Sequence, residues 1–173
     1  FGSIPVQTLG LAIEGGGLES DGEGTVLTTS ECLLSPNRNP QFAKSDLETY
    51  LKLLLGAERI LWLDHGYLEG DDTDSHIDTL ARFCSTDTIA YVACDDVDDV
   101  HYDALSAMEE QLRTFTQADG SPYRLIPLPM APARFHYEDG RRLPATYANF
   151  LIINDAVLLP VYGDEVKDKK AMD

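Results

Sequence analysis

The sequence predicts an α/β fold built from repeated ββαβ modules, and two observations carry that expectation. Strand-like apolar and β-branched runs recur in one order, with helix-period segments between them. The recurrence also keeps its spacing, since Thr25 to Thr88 is 63 residues and Thr88 to Ala156 is 68. On that period, residues 1–173 make one partial domain of roughly two and a half modules, with the third left unfinished.

Each element has its own signal. Thr8 to Ile13 alternates loosely and reads as a strand ending at Glu14, with Thr25–Thr29 as its β-branched partner across a Gly/Asp/Glu-rich loop. Pro36-Asn37-Arg38-Asn39-Pro40 is a turn-rich breaker. Ser45 can cap a helix whose first turn suits Asp46 and Glu48. Its apolar face is Leu47, Tyr50, Leu51, Leu54 and Leu55, and Gly56 stops it. Arg59–Leu63 is a buried strand that leads into an acidic stretch.

The order then repeats. Leu80–Cys84 and Thr88–Val92 form a hairpin, an amphipathic helix runs from Tyr102 to Thr116, and a strand spans Tyr123–Leu128. A third unit starts with Phe150–Ile153, turns at Asn154-Asp155, continues through Ala156–Val161, and opens a helix at Asp164. Stacked repeats need more neighbours than this to close a core, and the chain opens at Phe1 rather than Met. The expectation is a piece of a longer protein, with unpartnered strand edges and apolar faces at Leu158, Leu159 and Val161.

Thirty acidic residues against 13 basic ones give a formal charge of -17. That balance argues against nucleic acid or an anionic membrane surface as partner and suits a small cationic ligand. No apolar run approaches the roughly 20 residues of a membrane span. Cys32, Cys84 and Cys94 are an odd set without CxxC spacing, read as reduced, mostly buried thiols of a cytoplasmic protein. The oligomeric state is left open, a homo-oligomer included.

The chemistry concentrates between Gly66 and Asp78, where Asp71, Asp72, Asp74, His76 and Asp78 precede an apolar run. An Asp run around a Gly is ordinarily a solvated loop, and this one lacks the Gly and Glu spacing of an EF-hand, so no metal is assigned to it and a divalent-cation loop of Asp71, Asp72, Asp74 and Asp78 stays a minor third reading. His76 and Asp78 are two apart, so in an extended segment they leave on one side while Ile77 faces the other. A histidine moves protons near neutrality, and a carboxylate beside it holds a cation or tunes the ring. Glu14 ends an apolar run and is followed by Gly15-Gly16-Gly17, where backbone can approach a ligand closely.

Several motifs stand together in order: Glu14-Gly15-Gly16, Asp21-Gly22-Glu23-Gly24-Thr25, Glu31-Cys32-Leu33-Leu34, Pro36-Asn37-Arg38-Asn39-Pro40, Gly70-Asp71-Asp72-Thr73-Asp74 with His76-Ile77-Asp78, Tyr147-Ala148-Asn149-Phe150 and Val161-Tyr162-Gly163-Asp164. From about Leu11 to the C-terminus the chain resembles the agmatine deiminase family, close kin of the bacterial peptidylarginine deiminases. The resemblance implies the pentein fold, a five-module α/β propeller, of which this chain would be about half. It implies a hydrolase that converts agmatine and water to N-carbamoylputrescine and ammonia, a step of putrescine and polyamine supply, without a cofactor. It implies His76 as general acid/base, Asp78 as the carboxylate gripping the guanidinium, and Glu14 and Asp72 as substrate-binding residues.

Two parts of the family pattern are not in this chain. The family's nucleophilic cysteine follows a Gly-rich segment in an Ile-His-Cys context that none of the three cysteines has, and its N-terminal Arg-Asp segment is missing ahead of Phe1. Half of a constellation should bind weakly and turn nothing over. Deimination of arginine in peptides is the alternative substrate reading. An inactive pentein binding module is the other, motivated by the absent nucleophile and by the departures at Gly17 and Ser75.

Overall fold

A computed structural model describes residues 6 and 8–173. The reading of Phe1 as a cut start lies outside the described residues. The architecture is mixed α/β and repeats. In the first unit, β1 (Leu18–Ser20) pairs antiparallel with β2 (Thr25–Thr29). A short helix α1 (Ser30–Leu33) and the longer α2 (Lys44–Leu55) then cross over to β3 (Arg59–Leu63), parallel to β2. In the second unit, β4 (Ala81–Ser85) pairs antiparallel with β5 (Thr88–Val92), and α3 (Tyr102–Leu112) returns the chain to β6 (Arg124–Leu128), parallel to β5. The registers agree: Thr25 faces Arg59 as Thr88 faces Arg124, and each pairing runs five residues.

A two-stranded excursion, β7 (Arg134–Phe135) with β8 (Arg142–Leu143), leads to the third unit. That unit contains the hairpin of β9 (Leu151–Ile153) and β10 (Ala156–Leu158), then α4 (Glu165–Met172), whose Lys167 N–H is capped by the Asp164 carboxylate. No described helix is long and apolar enough to cross a membrane.

Two apolar clusters hold the frame. The larger unites Leu27 and Leu63 of the first unit with Ile77, Leu80, Phe83, Ile89 and Met108 of the second. The smaller packs Leu47 and Leu51 of α2 on Cys32, Leu33 and Trp62. Polar clamps join the units where apolar packing ends. Glu19 on β1 accepts from Arg82 Nε of β4 at 2.6 Å, and Arg82 also donates to the Phe150 carbonyl at 2.7 Å while lying over its ring. Gln111 on α3 donates to the Trp62 carbonyl at 2.9 Å and accepts from the Asp64 N–H at 2.8 Å, tying the end of β3 to the second unit.

Several expectations are corrected. Thr8 to Ile13 is not a strand; β1 lies beyond the glycines, at Leu18–Ser20. The earlier segment satisfies its backbone on side-chain amides instead. Asn39 exchanges two 2.9 Å hydrogen bonds with Ala12, and Gln41 donates to the Gly10 carbonyl at 2.9 Å. Helix α2 starts at Lys44, with the Ala43 N–H donating to Asp46 at 2.9 Å, so Ser45 is inside the helix and Asp46 does the capping. Leu54 and Leu55 are exposed, because only Leu47 and Leu51 find partners under α2.

Helix α3 ends at Leu112, not Thr116, where the N–H groups of Thr114 and Phe115 tighten onto carbonyls three residues back. The last hairpin strand stops at Leu158 rather than Val161. Cys84 is exposed, on the part of β4 beyond its buried half, and Cys94 is half-buried; only Cys32 is the buried thiol expected. The expected exposure of the third unit is present: Leu158 and Val161 are open, and Leu159 is partly covered.

Truncating Leu51 to Ala should destabilise the chain by about 2–5 kcal/mol, whereas Leu53→Ala, on a side chain 76% exposed, should change it by less than about 0.5 kcal/mol. Urea unfolding of the two variants checks this. A pH series tests the third unit. Asp168 is buried and accepts from Tyr147 Oη at 2.6 Å and from the Tyr162 and Gly163 N–H groups at 2.9 Å. The Tyr147 hydrogen bond, followed by those backbone donors, holds its carboxyl below the usual range. A depressed carboxylate contributes stability above its unfolded value and loses it as pH falls through its folded value. Wild-type stability should therefore fall below about pH 4, the ordinary Asp range. Asp168→Asn should lower stability at neutral pH and flatten that acid limb.

Candidate active site

Two one-turn 3-10 segments meet to build the site. The first is Gly15–Gly17, entered from Glu14, whose carbonyl accepts from the Gly17 N–H at 3.0 Å. The second is Ile77–Thr79, entered from His76. His76 and Asp78 thus do not project from one extended strand as their spacing suggested. They converge all the same, because Asp78 sits in the first turn of the second segment and both side chains close on Gly16. A Cβ at Gly16 would stand 2.6 Å from His76 Nδ1 and 2.7 Å from Asp78 Oδ2. A side chain there fits only if both groups move away.

The ends of β2 hold both turns in place. Thr28 Oγ1 donates to the Gly17 carbonyl at 2.7 Å, and Thr29 Oγ1 donates to the Ser75 carbonyl at 2.7 Å. The loop before His76 is shaped from within. Asp71 accepts from Thr73 Oγ1 at 2.6 Å and from the Ser75 N–H at 2.7 Å, which supports Asp74 and Ser75 in the left-handed region at φ 56 and 57. Gly70 is required as well, since a Cβ there would lie 2.2 Å from the Arg142 carbonyl oxygen.

His76 Nε2 and Glu14 Oε2 are 2.7 Å apart. The His76 hydrogen bond, then the one from Arg38, holds the Glu14 carboxyl below its ordinary range. An ionised carboxylate only accepts, so Nε2 carries the proton and donates. Arg38 Nε donates to the same Oε2 at 2.7 Å, and Oε1 makes no hydrogen bond among the described residues. Asp78 is the opposite case: burial pushes its carboxyl up, with His76 and Arg82 only partly opposing. Glu19 nearby is raised too, by burial, although Arg82 is paired with it.

Of the four residues expected here, Glu14, His76 and Asp78 come together. Asp72 does not join them: it is exposed, with no side-chain hydrogen bond among the described residues. Asp71 and Asp74 are spent on the loop and on Arg38, so the acidic run does not form a cation cage. Arg38 was missed as a site residue. Its Nη1 donates to Asp74 at 2.6 Å and its Nη2 to the Thr73 carbonyl at 2.9 Å, so one guanidinium joins Glu14 to the acidic loop. A lone cation between amides and prolines in so acidic a chain is the available signal, though the same five residues also make a turn-rich breaker.

Chemically, the cluster pairs an ionised carboxylate with one free oxygen, a histidine proton donor, and a half-buried carboxylate short of cationic partners. That set suits a planar cation bearing several N–H groups. The thiols are poor nucleophiles here: burial pushes Cys32 up to about 11 and is also the main cause raising Cys84 and Cys94.

Comparison with known proteins gives consistent matches. A family model described as Porphyromonas-type peptidyl-arginine deiminase matches residues 2–173. The chain is 39% identical over 161 residues to the "Putative agmatine deiminase" of Legionella pneumophila (strain Paris), covering 93% of this chain and 46% of that protein. Among solved structures, it is similar to the "Putative Arginine Deiminase from Porphyromonas gingivalis", with TM-score 0.90 and 54% identity, covering 95% of this chain and 48% of that one. It is also similar to the C. jejuni agmatine deiminase with substrate bound, with TM-score 0.81 and 44% identity, covering 91% of this chain and 46% of that one. The chain spans about half the length of the curated relatives it matches.

Gly16→Ala should displace the His76 ring and the Asp78 carboxylate together, whereas Gly15→Ala meets nothing within 4 Å. The NMR resonances of the His76 ring check this. They should move strongly in the first variant and little in the second, with the fold retained in both.

Proposed function

Because the chain belongs to the Porphyromonas-type peptidyl-arginine deiminase family, we propose that it contributes the guanidinium-binding and proton-transfer groups of an agmatine deiminase. The reaction turns agmatine and water into N-carbamoylputrescine and ammonia. The observation that carries the reading is the convergence of Glu14, His76 and Asp78 around Gly16. In this reading the ββαβ units are part of a five-module propeller, and the nucleophilic thiolate is supplied by a segment other than Cys32, Cys84 or Cys94.

The steps follow from the groups present. Asp78 accepts N–H donors of the guanidinium, and the incoming cation offsets the burial that raises its carboxyl. Glu14, fixed by Arg38 through Oε2, offers Oε1 to the substrate and orients the His76 ring through the same oxygen that Arg38 holds. Thiolate addition to the guanidinium carbon gives a tetrahedral adduct. His76 protonates the departing nitrogen, and ammonia leaves. His76 then takes a proton from the water that attacks the resulting thiouronium carbon, and the C–S bond breaks to give the ureido product. Asp72 at the rim adds negative potential to the approach. No cofactor enters these steps.

A second reading, deimination of arginine in peptides, is supported by the description of the matching family model. One assay separates them: ammonia release by the natural gene product from agmatine and from an arginine-containing peptide. Agmatine should be the better substrate. His76→Asn should lower kcat by about 10²–10⁴, and Asp78→Asn should lower kcat/KM on the order of 10²-fold through the lost charged partner. Asp72→Asn should change either by less than about threefold, as expected for an exposed charge. No ammonia from either substrate, with no agmatine binding, would leave the inactive binding module as the better reading.

A further inference from the structure

We propose that Glu14, Cys32 and His76 form a site for a thiophilic divalent cation of the zinc type. A carboxylate oxygen, the Cys32 Sγ and an imidazole nitrogen lie within 4.8 Å of one another. Despite the chain's 30 acidic residues, this is the one group of three or more such side chains so placed among the described residues. The three come from separate elements: the residue before the glycine turn, the short helix α1, and the residue before the second turn.

The spacing suits a small tetrahedral ion. Zinc ligand distances of about 2.0–2.3 Å put neighbouring ligand atoms about 3.5 Å apart, so side-chain closure of roughly 1 Å completes the shell and leaves a fourth position for water. Mixed oxygen, nitrogen and sulfur donors favour zinc, cobalt(II) or cadmium over magnesium or calcium.

Two further features favour entry. Gly17 has no side chain to fill the gap: a Cβ there would sit 3.0 Å from Cys32 Sγ and 4.0 Å from His76 Cδ2. Glu14 keeps Oε1 free while Oε2 serves Arg38 and His76, and its side chain is 46% exposed, so the cation arrives from solvent on that side. Binding replaces the S–H bond of Cys32 by an S–metal bond and releases that proton to solvent, and the proton that His76 Nε2 donates to Glu14 moves to Nδ1 so that Nε2 can offer its lone pair. The imidazole nitrogen bound to the metal can no longer transfer protons, so the cation switches off turnover. That consequence rests on the role proposed above for His76, whereas the cation site does not.

Cobalt(II) titration of the chain tests it. Wild type should develop a thiolate-to-cobalt charge-transfer band in the near ultraviolet with intense visible bands of a tetrahedral ion, all removed by zinc. Cys32→Ser should lose the near-ultraviolet band. A Cys84→Ser, Cys94→Ser double variant should keep it. His76→Asn, at a partly exposed position, should weaken cobalt binding at least about tenfold, since loss of a ligand costs no less than loss of an outer partner. Absence of the thiolate band in wild type, or a band that survives Cys32→Ser and disappears in the double variant, overturns the proposal. A cobalt band in a protein whose natural gene product releases no ammonia supports the site while removing the deiminase reading.

Discussion

The close approach at Gly16 is the constraint on which the rest of the site depends. The glycine turn precedes the first sheet and the His76 turn precedes the second, so their contact is both a feature of the candidate site and a joint between modules. Backbone can come this near two polar side chains only where no Cβ intervenes. The contact is braced from behind by Thr28 and Thr29, consecutive residues of one strand with alternating faces. One hydroxyl takes the glycine turn and the other the acidic loop. A β2 strand buried along its whole length therefore aligns two segments far apart in sequence.

The two carboxylates that meet the histidine have been given different tasks by their surroundings. Glu14 is exposed but doubly hydrogen-bonded, which keeps it ionised and fixed. Asp78 is half-buried and under-partnered, which makes its charge costly until a cation arrives. Arg38 explains how the contrast persists. It supplies a permanent guanidinium to Glu14 and Asp74 and makes no ion pair with Asp78, so a half-buried carboxylate without a paired cation remains beside His76 and Gly16. The net charge of -17 then acts on approach rather than on grip.

Much of the frame was legible because it follows from period and propensity. The β2/β5 and β3/β6 runs, the two crossover helices and the final hairpin all form in the expected order, with α3 and the last strand shorter than their patterns suggested, and the parallel registers repeat as the near-constant spacing implied. What failed was governed by partners distant in sequence. Thr8 to Ile13 has a strand's pattern, yet its backbone is taken by the amides of Asn39 and Gln41, a substitution that no local window can show. His76 and Asp78 were paired for a geometric reason that does not hold; they meet through a 3-10 turn and a glycine 60 residues before His76. Arg38 was hidden for the same reason, since its meaning lies in the carboxylates it reaches across the fold.

The repeat explains why there is one such site among the described residues rather than two. The segment between β3 and β4 carries the acidic loop, His76 and Asp78. The corresponding segment between β6 and β9 instead forms the β7–β8 excursion and the Thr146–Phe150 stretch. There the polar groups face inward: Thr146 Oγ1 donates to the Thr79 carbonyl at 2.9 Å, Tyr162 Oη donates to the Thr146 carbonyl at 2.9 Å, and Tyr147 reaches Asp168. The strands of the two junctions obey the same register because burial demands it. The connections are free to differ, since they answer only to the contacts they make. The first junction meets the glycine turn at Gly16 and keeps polar groups there, whereas the second ties its polar groups to one another and to the strand ends. The symmetric sheets are the support; the asymmetric connections decide what the molecule can bind.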